Sequence, residues 1–480
     1  MHFSKLVLRA VTFSYLTLAL SSVREAAFAA EPAPGRPNFL FVFTDDQRYD
    51  AMGVVQREQG DRARFPWFQT PNMDRLASEG VRFRNAFVVN SLCAPSRACM
   101  LTGRYSHHNG IADNQTPFPT DSVTYASLLR GAGYTTGYVG KWHMGGQKGK
   151  RPGFDESVSF LGQGKYVDCP FEVNGELTPT KGWVDDRSTD FAIDFLKKNQ
   201  AKPFALVVGF KATHGPFAPP ERARERFAGE SPRPAASQGV SPVYRGTAVP
   251  AAAAKKKGAP RPGGNLGYFR CVSAADDNLG RLMTTLDELG LAEDTVLVFS
   301  SDNGYYLGEH GLGDKRSAYD ESLRVPLLLR YPRLAKKGKL VDRMVLNIDV
   351  ASTFLDLAGL PVPKEMQGRS WRPLLVEMEK QNQKPDAWRT GWFYEYFQER
   401  AFPGTPTILA VRTENAKLIT YPGHPEWTEL FDLKADPYEK ANLASDPAHK
   451  DLRQEMEAEF ERQKEAVGYT YPSYADFPKP

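Results

Sequence analysis

Cysteine is scarce in this chain. The 480 residues hold four, Cys93, Cys99, Cys169 and Cys271, at no spacing that suggests a zinc or iron–sulfur site. So few also exclude a fold built on disulfides. If Cys93 is chemically modified, at most one bridge remains possible. Long apolar runs are lacking as well: beyond the N-terminus no stretch reaches 18 apolar residues, so no membrane-spanning helix is expected. Nor is there an excess of charge. With 61 basic and 57 acidic residues the formal net charge is +4, which gives no argument for nucleic-acid binding. No internal repeat is visible, so a repeat architecture is not expected.

What the chain does have is turn-forming: 36 prolines and 40 glycines in an ordinary globular composition. That suits one large or two smaller domains with a site built by loops on a sheet. Residues 1–29 read as a secretory signal. Lys5 and Arg9 give a positive start, Val11 to Leu20 is mostly apolar, and Ala27-Phe28-Ala29 is a small-x-small cleavage site. The alternative is a short buried N-terminal helix. Read as a signal, it implies an exported protein, periplasmic or secreted. Its removal takes away three basic and one acidic side chain and leaves a net charge of +2. A single Asn-x-Ser/Thr site, at Asn114, favours a bacterial source over an animal lysosomal one.

Apolar strands alternate with helical segments, which gives an α/β fold class. A large central sheet flanked by helices is expected over residues 30–380, and a smaller C-terminal α+β subdomain over 381–480. Asn38 to Thr44 reads as a strand buried on both faces, and Asp45-Asp46 follow it. Thr70 and Pro71 read as the N-cap and first residue of a helix. Val81 to Val89 is strand-like, with a helix expected from Arg97 to Thr102. Further strands are expected at 135–139, 204–210, 294–300 and 325–331, and helices at 189–198, 268–289 and 353–360. Short alternating segments between 385 and 425, continued by Glu429 to Leu433, predict an antiparallel sheet, and a polar helix over 449–466 closes the chain. Within it, Trp392 to Tyr396 suits either core packing or a sugar-stacking surface. Residues 230–264 are of low complexity and are read as an exposed loop insertion.

Polar clusters follow most of these strands, at the edge where open α/β sheets place their ligands. They gather Asp45, Asp46, Cys93, Arg97, Lys141, His143, His214, Asp302, Asn303 and Lys315. Each alone has a plainer reading: an Asp caps a turn, a lone His is more often structural, a lone Lys lies on the surface. Jointly they point to one composite site. Three carboxylates and the Asn303 amide oxygen make a hard oxygen set suited to Ca2+ or Mg2+. The lysines and the arginine can hold the oxygens of a tetrahedral anion, and the histidines can move protons near neutral pH. A strong ordinary nucleophile is missing. On the residues alone Cys93 as a thiolate is the candidate, although a thiolate is a poor partner for a hard oxyanion site.

Cys93-Ala94-Pro95-Ser96-Arg97, continued by Ala98-Cys99-Met100-Leu101-Thr102-Gly103-Arg104, resembles the signature of the type I, formylglycine-dependent sulfatases of the alkaline phosphatase superfamily. The resemblance spans nearly the whole chain after residue 29. Phe43-Thr44-Asp45-Asp46-Gln47 and Ser301-Asp302-Asn303-Gly304 are similar to the two metal motifs. Gly140-Lys141-Trp142-His143 is similar to the lysine–histidine motif, Thr213-His214-Gly215-Pro216-Phe217 to the sulfate-binding histidine segment, and Gly313-Asp314-Lys315 to the second sulfate-binding lysine. The resemblance implies an alkaline-phosphatase-like mixed sheet and a Cys93 oxidised to formylglycine by a sulfatase-maturing enzyme. It implies a metal, normally calcium and less often magnesium, at Asp45, Asp46, Asp302, Asn303 and residue 93. The hydrated aldehyde, held by the metal and Arg97, would attack sulfur. Lys141, His214 and Lys315 would hold the sulfuryl oxygens, His214 would protonate the leaving group, and His143 would help release sulfate.

Tyr305-Tyr306-Leu307-Gly308-Glu309-His310-Gly311 and Asp314-Lys315-Arg316 resemble sulfatases of glycosaminoglycan-type sugars, in the glucosamine-6-sulfatase and iduronate-2-sulfatase branches. His310 and Arg316 are therefore expected on the substrate side, Arg316 for a uronate carboxylate; for both the alternative is loop structure. The Asp302-Asn303 pair leans toward a hexosamine or general glycan substrate. Three readings compete. One is a formylglycine-dependent phosphonate monoester or phosphodiester hydrolase. Another is a non-catalytic glycan-binding protein of the same fold. The third is a thiol enzyme with unmodified Cys93.

Overall fold

The computed structural model describes residues 35–246, 266–376 and 388–472. The expected signal segment and most of the expected insertion (residues 247–264) lie outside the described residues.

The α/β architecture is built on a ten-stranded mixed sheet. Asn38–Thr44 lies at its centre, parallel to Thr295–Ser301 on one side and to Phe204–Gly209 on the other. Thr135–Lys141 and Glu156–Phe160 extend the parallel run. Leu327–Arg330 pairs antiparallel beyond Thr295–Ser301, and short strands finish both edges. The alternation of side chains places Phe39, Phe41 and Phe43 in one apolar cluster and Leu40 and Val42 in another. One layer contains the helices Cys93–Thr102, Tyr125–Gly131 and Asp349–Leu357. The opposite layer contains Pro71–Glu79, Val184–Asn199 and Leu266–Glu288. Burial on both faces explains why the central strand reads as an unbroken apolar run.

The late hairpins form a separate antiparallel sheet of four strands, Gly391–Tyr396, Ile408–Thr413, Ala416–Thr420 and Glu429–Asp432, against which the helix Lys450–Ala466 packs. Its apolar cluster also takes in Tyr306, Leu312, Tyr319 and Leu323, so the segment after Asn303 is packed against this sheet. Trp392 to Tyr396 is fully buried, with Trp392 stacked on Phe87, so this run is core.

Local differences have physical causes. The expected strand over 81–89 is two short ones, Val81–Phe83 and Ala86–Phe87, in different sheets. The helix expected from Arg97 begins at Cys93: Pro95 falls in its first turn, where a missing N–H costs nothing. Pro326 delays the next strand to Leu327. Thr70 precedes its helix but does not cap it; its Oγ1 accepts from the Gly53 N–H instead, at 2.8 Å. All four cysteines are buried and free, so no disulfide forms. Among the described residues no helix is long and apolar enough to cross a membrane.

Candidate active site

Register brings the carboxylates together. Thr44 pairs with Ser301 on the neighbouring strand, so Asp45-Asp46 and Asp302-Asn303 leave the sheet side by side. The Asp302 N–H donates to the Thr44 carbonyl at 3.0 Å, and the Asp46 N–H donates to Asp302 Oδ1 at 3.1 Å. Asp46 has a φ of 65°, a left-handed turn that Asp tolerates. On the other side of the central strand Phe43 and Gly140 both pair with Gly209, which brings Lys141 and Lys211 to the same edge. Gly140 is required there: its φ is 95°, and a Cβ would stand 2.1 Å from the Gly209 carbonyl oxygen.

Cys93 is the first residue of a ten-residue helix buried along its whole length. Its Sγ lies 3.4 Å from Asp45 Oδ1. Arg97, one turn on, faces the same way. Its Nε and Nη2 donate to Asp302 Oδ2 at 3.0 and 2.8 Å, Nη2 also to Asp45 Oδ2 at 3.2 Å, and Nη1 to the Lys141 carbonyl. The Lys141 ammonium donates to Asp45 Oδ2 and, at 2.6 Å, to Gln163 Oε1. Lys315 Nζ spans both oxygens of Asp46, at 2.7 and 2.9 Å. A ring nitrogen of His214, Cys93 Sγ and an Asp45 oxygen fall within 4.8 Å of one another, as do oxygens of Asp45, Asp46 and Asp302. His143 is buried with Nδ1 unpartnered and feels the charges of Lys141, Asp45, Arg97 and His214. The structure thus gathers Asp45, Asp46, Cys93, Arg97, Lys141, His143, His214, Asp302, Asn303 and Lys315 in one place.

Charges there are strongly coupled. Burial pushes Asp45 up but is outweighed by Lys141, His214, Arg97 and Lys315, so its carboxyl stays well below the ordinary range. Asp46 goes the other way, to about 7: burial, with Asp45 and Asp302 adding to it, exceeds the pull of Lys315. Asp302 is also raised, by burial and by Asp45. Asn303 Oδ1 is buried with no partner. Two carboxyls strained toward protonation beside an orphaned amide oxygen fit a hard divalent cation, which would relieve all three. Burial, then Asp45, raises the Cys93 thiol, so an unmodified cysteine here is held away from its nucleophilic thiolate form. Burial and then Lys141 lower both His143 and His214. His214 Nδ1 lies 2.6 Å from the Gly215 carbonyl, which can only accept, so Nδ1 carries hydrogen and Nε2 is free to act.

His310 and Arg316 make none of these contacts. His310 is wholly buried and stacked on Tyr319, with centroids 3.8 Å apart. Arg316 is already paired with two carboxylates, Asp314 at 3.0 and 2.8 Å and Glu399 at 2.5 Å, and lies over the Phe402 ring. Two groups at the site escape a reading of the sequence. Gln163 lies in a Gly-Gln-Gly turn after Glu156–Phe160, a strand whose mixed polarity gives no apolar run to mark it. Lys211 directly follows an apolar strand, where the rule that found Lys141 would have found it. Its Nζ donates to the Gln163 carbonyl at 2.8 Å and lies over the Tyr166 ring.

Comparison with known proteins agrees with this geometry. A family model described as Sulfatase matches residues 37–360, and one described as N-sulphoglucosamine sulphohydrolase, C-terminal, matches 308–466. The chain is 34% identical to an N-acetylglucosamine-6-O-sulfatase of Bacteroides thetaiotaomicron, over 89% of this chain and 86% of that protein. It is 30% identical to an ulvan-active sulfatase of Formosa agariphila, over 92% and 83%. A solved structure of a protein in complex with its substrate, D-glucosamine-2-N,6-O-disulfate, superposes with a TM-score of 0.79 at 32% identity, covering 92% of this chain and all of the other.

Proposed function

This chain belongs to the sulfatase family and is a sulfuric ester hydrolase, and from that premise we propose that it removes 6-O-sulfate from a glucosamine-type unit of a sulfated glycan. The observation that carries the substrate is the likeness, over nine-tenths of the chain, to a structure holding a glucosamine 2-N,6-O-disulfate. The N-acetylglucosamine-6-O-sulfatase relative points to the same class.

In this reading Asp45, Asp46, Asp302 and the Asn303 amide oxygen would hold a calcium ion, which when bound would offset negative charge on the sulfate and on the attacking oxygen. Formylglycine made from Cys93 by a maturing enzyme supplies that oxygen when hydrated. Arg97 fixes the Asp45 and Asp302 carboxylates and faces residue 93. Lys141 and Lys315 exchange their carboxylate partners for sulfate oxygens, and His214 joins them through Nε2. Bringing a sulfate ester beside His214 raises its proton affinity, which suits it to protonate the departing sugar oxygen. His143 is placed to take a proton during sulfate release. The enzyme works outside the cytoplasm, in the periplasm or secreted, in keeping with residues 1–29.

The test is desulfation of glucosamine 6-sulfate, N-acetylglucosamine 6-sulfate, iduronate 2-sulfate and a matched phosphonate monoester by the mature protein. The 6-sulfated hexosamines should react fastest. Faster phosphonate cleavage would overturn the ester class; faster iduronate 2-sulfate cleavage would overturn the sugar.

A further inference from the structure

His310, which makes no contact with the groups of the candidate active site, has chemistry of its own. It lies in the segment Glu309–Gly311, with a φ of 52°. Its ring is 0% exposed, and neither nitrogen has a hydrogen-bond partner. An imidazole in that state forfeits two hydrogen bonds, a cost a folded core rarely leaves standing. Two carboxylates face it: Glu321, from the helix Asp320–Leu323, and Glu439, from the turn that follows the fourth strand of the C-terminal sheet. Ligand atoms of all three residues lie within 4.8 Å of one another, and all three residues are buried.

The spacing is informative. His310 Nε2 and Glu321 Oε2 stand 3.7 Å apart, too far for a hydrogen bond. Two ligands on one tetrahedral zinc ion, with bonds of about 2.1 Å, stand about 3.4 Å apart. Arg48 attracts Glu321 but is ion-paired to Asp50 and Glu309 instead. Arg412 and Lys417 pair with Asp320, at 3.0 and 2.6 Å, and Lys417 also faces Glu439 Oε1 at 2.6 Å. Among the described residues the one ion-pair neighbour of Glu321 is His310, and Glu321 Oε2 has no hydrogen-bond donor.

We propose that His310, Glu321 and Glu439 form a second, buried metal site that takes a zinc ion, separate from the candidate calcium site. One imidazole and two carboxylates are a set that zinc accepts, and no thiolate is involved. The ion would tie three segments together: the loop before Lys315, the short helix after it, and the C-terminal sheet. Its role is structural, since it joins the C-terminal sheet to the span that carries Asp302, Asn303 and Lys315.

The full-length mature protein is stripped with a chelator, returned to buffer with calcium and excess Zn2+, desalted, and assayed for zinc by mass spectrometry. Wild type should retain one zinc per chain. Its zinc-edge X-ray absorption should show imidazole nitrogen and oxygen at about 2.0–2.2 Å and no sulfur. The Glu321→Gln, Glu439→Gln double variant should bind zinc at least tenfold more weakly and keep its calcium. Absence of retained zinc in wild type would overturn the proposal. Sulfur in the zinc shell would also overturn it, because none of His310, Glu321 and Glu439 offers a thiolate. If the double variant does not fold, the absorption spectrum of wild type still decides.

Discussion

Replacing Arg97 with methionine tests the electrostatic account most directly. Arg97 is 1% exposed, and the two carboxylates it bridges, Asp45 and Asp302, are 0% exposed. The change keeps an apolar stem over the Phe43 ring but removes every donor to Asp302 Oδ2 and one of those to Asp45. Removing one member of a buried ion pair costs about 3–5 kcal/mol, because the remaining charge is stranded. Asp302, already raised by burial and by Asp45, would be driven further toward protonation. Without metal, Arg97→Met should therefore unfold with about 3–5 kcal/mol less stability in a denaturant titration. Calcium should recover much of that deficit, since a dication between the same carboxylates supplies the missing charge. A ligand at 100 times its Kd adds about 2.7 kcal/mol, and the variant should gain more from calcium than wild type does. The reasoning fails if the metal-free variant loses under about 1 kcal/mol, the size of a surface pair, or if calcium stabilises both proteins equally.

The other expectations concern activity. Lys315→Ala should lower kcat by about 10²–10³-fold, the loss typical of one oxyanion donor, with calcium content preserved; a loss under about threefold would remove Lys315 from the sulfate site. Burial and the neighbouring Lys141 push Lys211 down to about 8, so it is charged below that pH and neutral above. Because kcat/KM reports the free enzyme, it should fall as pH rises through about 8, and the fall should move higher in Lys211→Arg, whose guanidinium stays charged. An unmoved fall in the arginine variant would assign it to another group. Peptide mass spectrometry of protein matured in a competent host should find the Cys93 peptide lighter than its thiol form, and Cys93→Ala should be inactive. Full activity in protein that carries only the thiol would refute the aldehyde reading.

Much of this site is legible from the chain because it is built by strand ends. Wherever an apolar run stops at polar residues, as at Thr44, Phe210 and Ser301, the sheet delivers those residues to one edge. Gln163 escapes because its strand, Glu156–Phe160, alternates in polarity. His310 and Arg316 are harder for another reason. Their motif lies beside Lys315 in sequence, but packing against the C-terminal region turns one side chain into the core and pairs the other with Glu399 as well as with the nearby Asp314. The burial of His310 and the Glu399 partner of Arg316 are decided by long-range contacts, although Asp314, the other partner, lies two residues away in the chain. The early start of the helix at Cys93 is a smaller case, in which Pro95 looks like a breaker but sits where a helix tolerates it.

The burial of Cys93 sets an order of events. Its side chain has no exposed surface; it is covered by a helix buried along its whole length and by strands whose pairing joins residue 44 to residue 301. A maturing enzyme that must grip the chain around residue 93 needs more room than a sulfate group does, and the paired strands leave less of that chain open. If Cys93 is converted to formylglycine, the oxidation is therefore expected in the interval before these strands have paired. Slower synthesis or a delayed pairing would lengthen that interval. On that reading the fraction of active molecules would be set by a race between oxidation and folding.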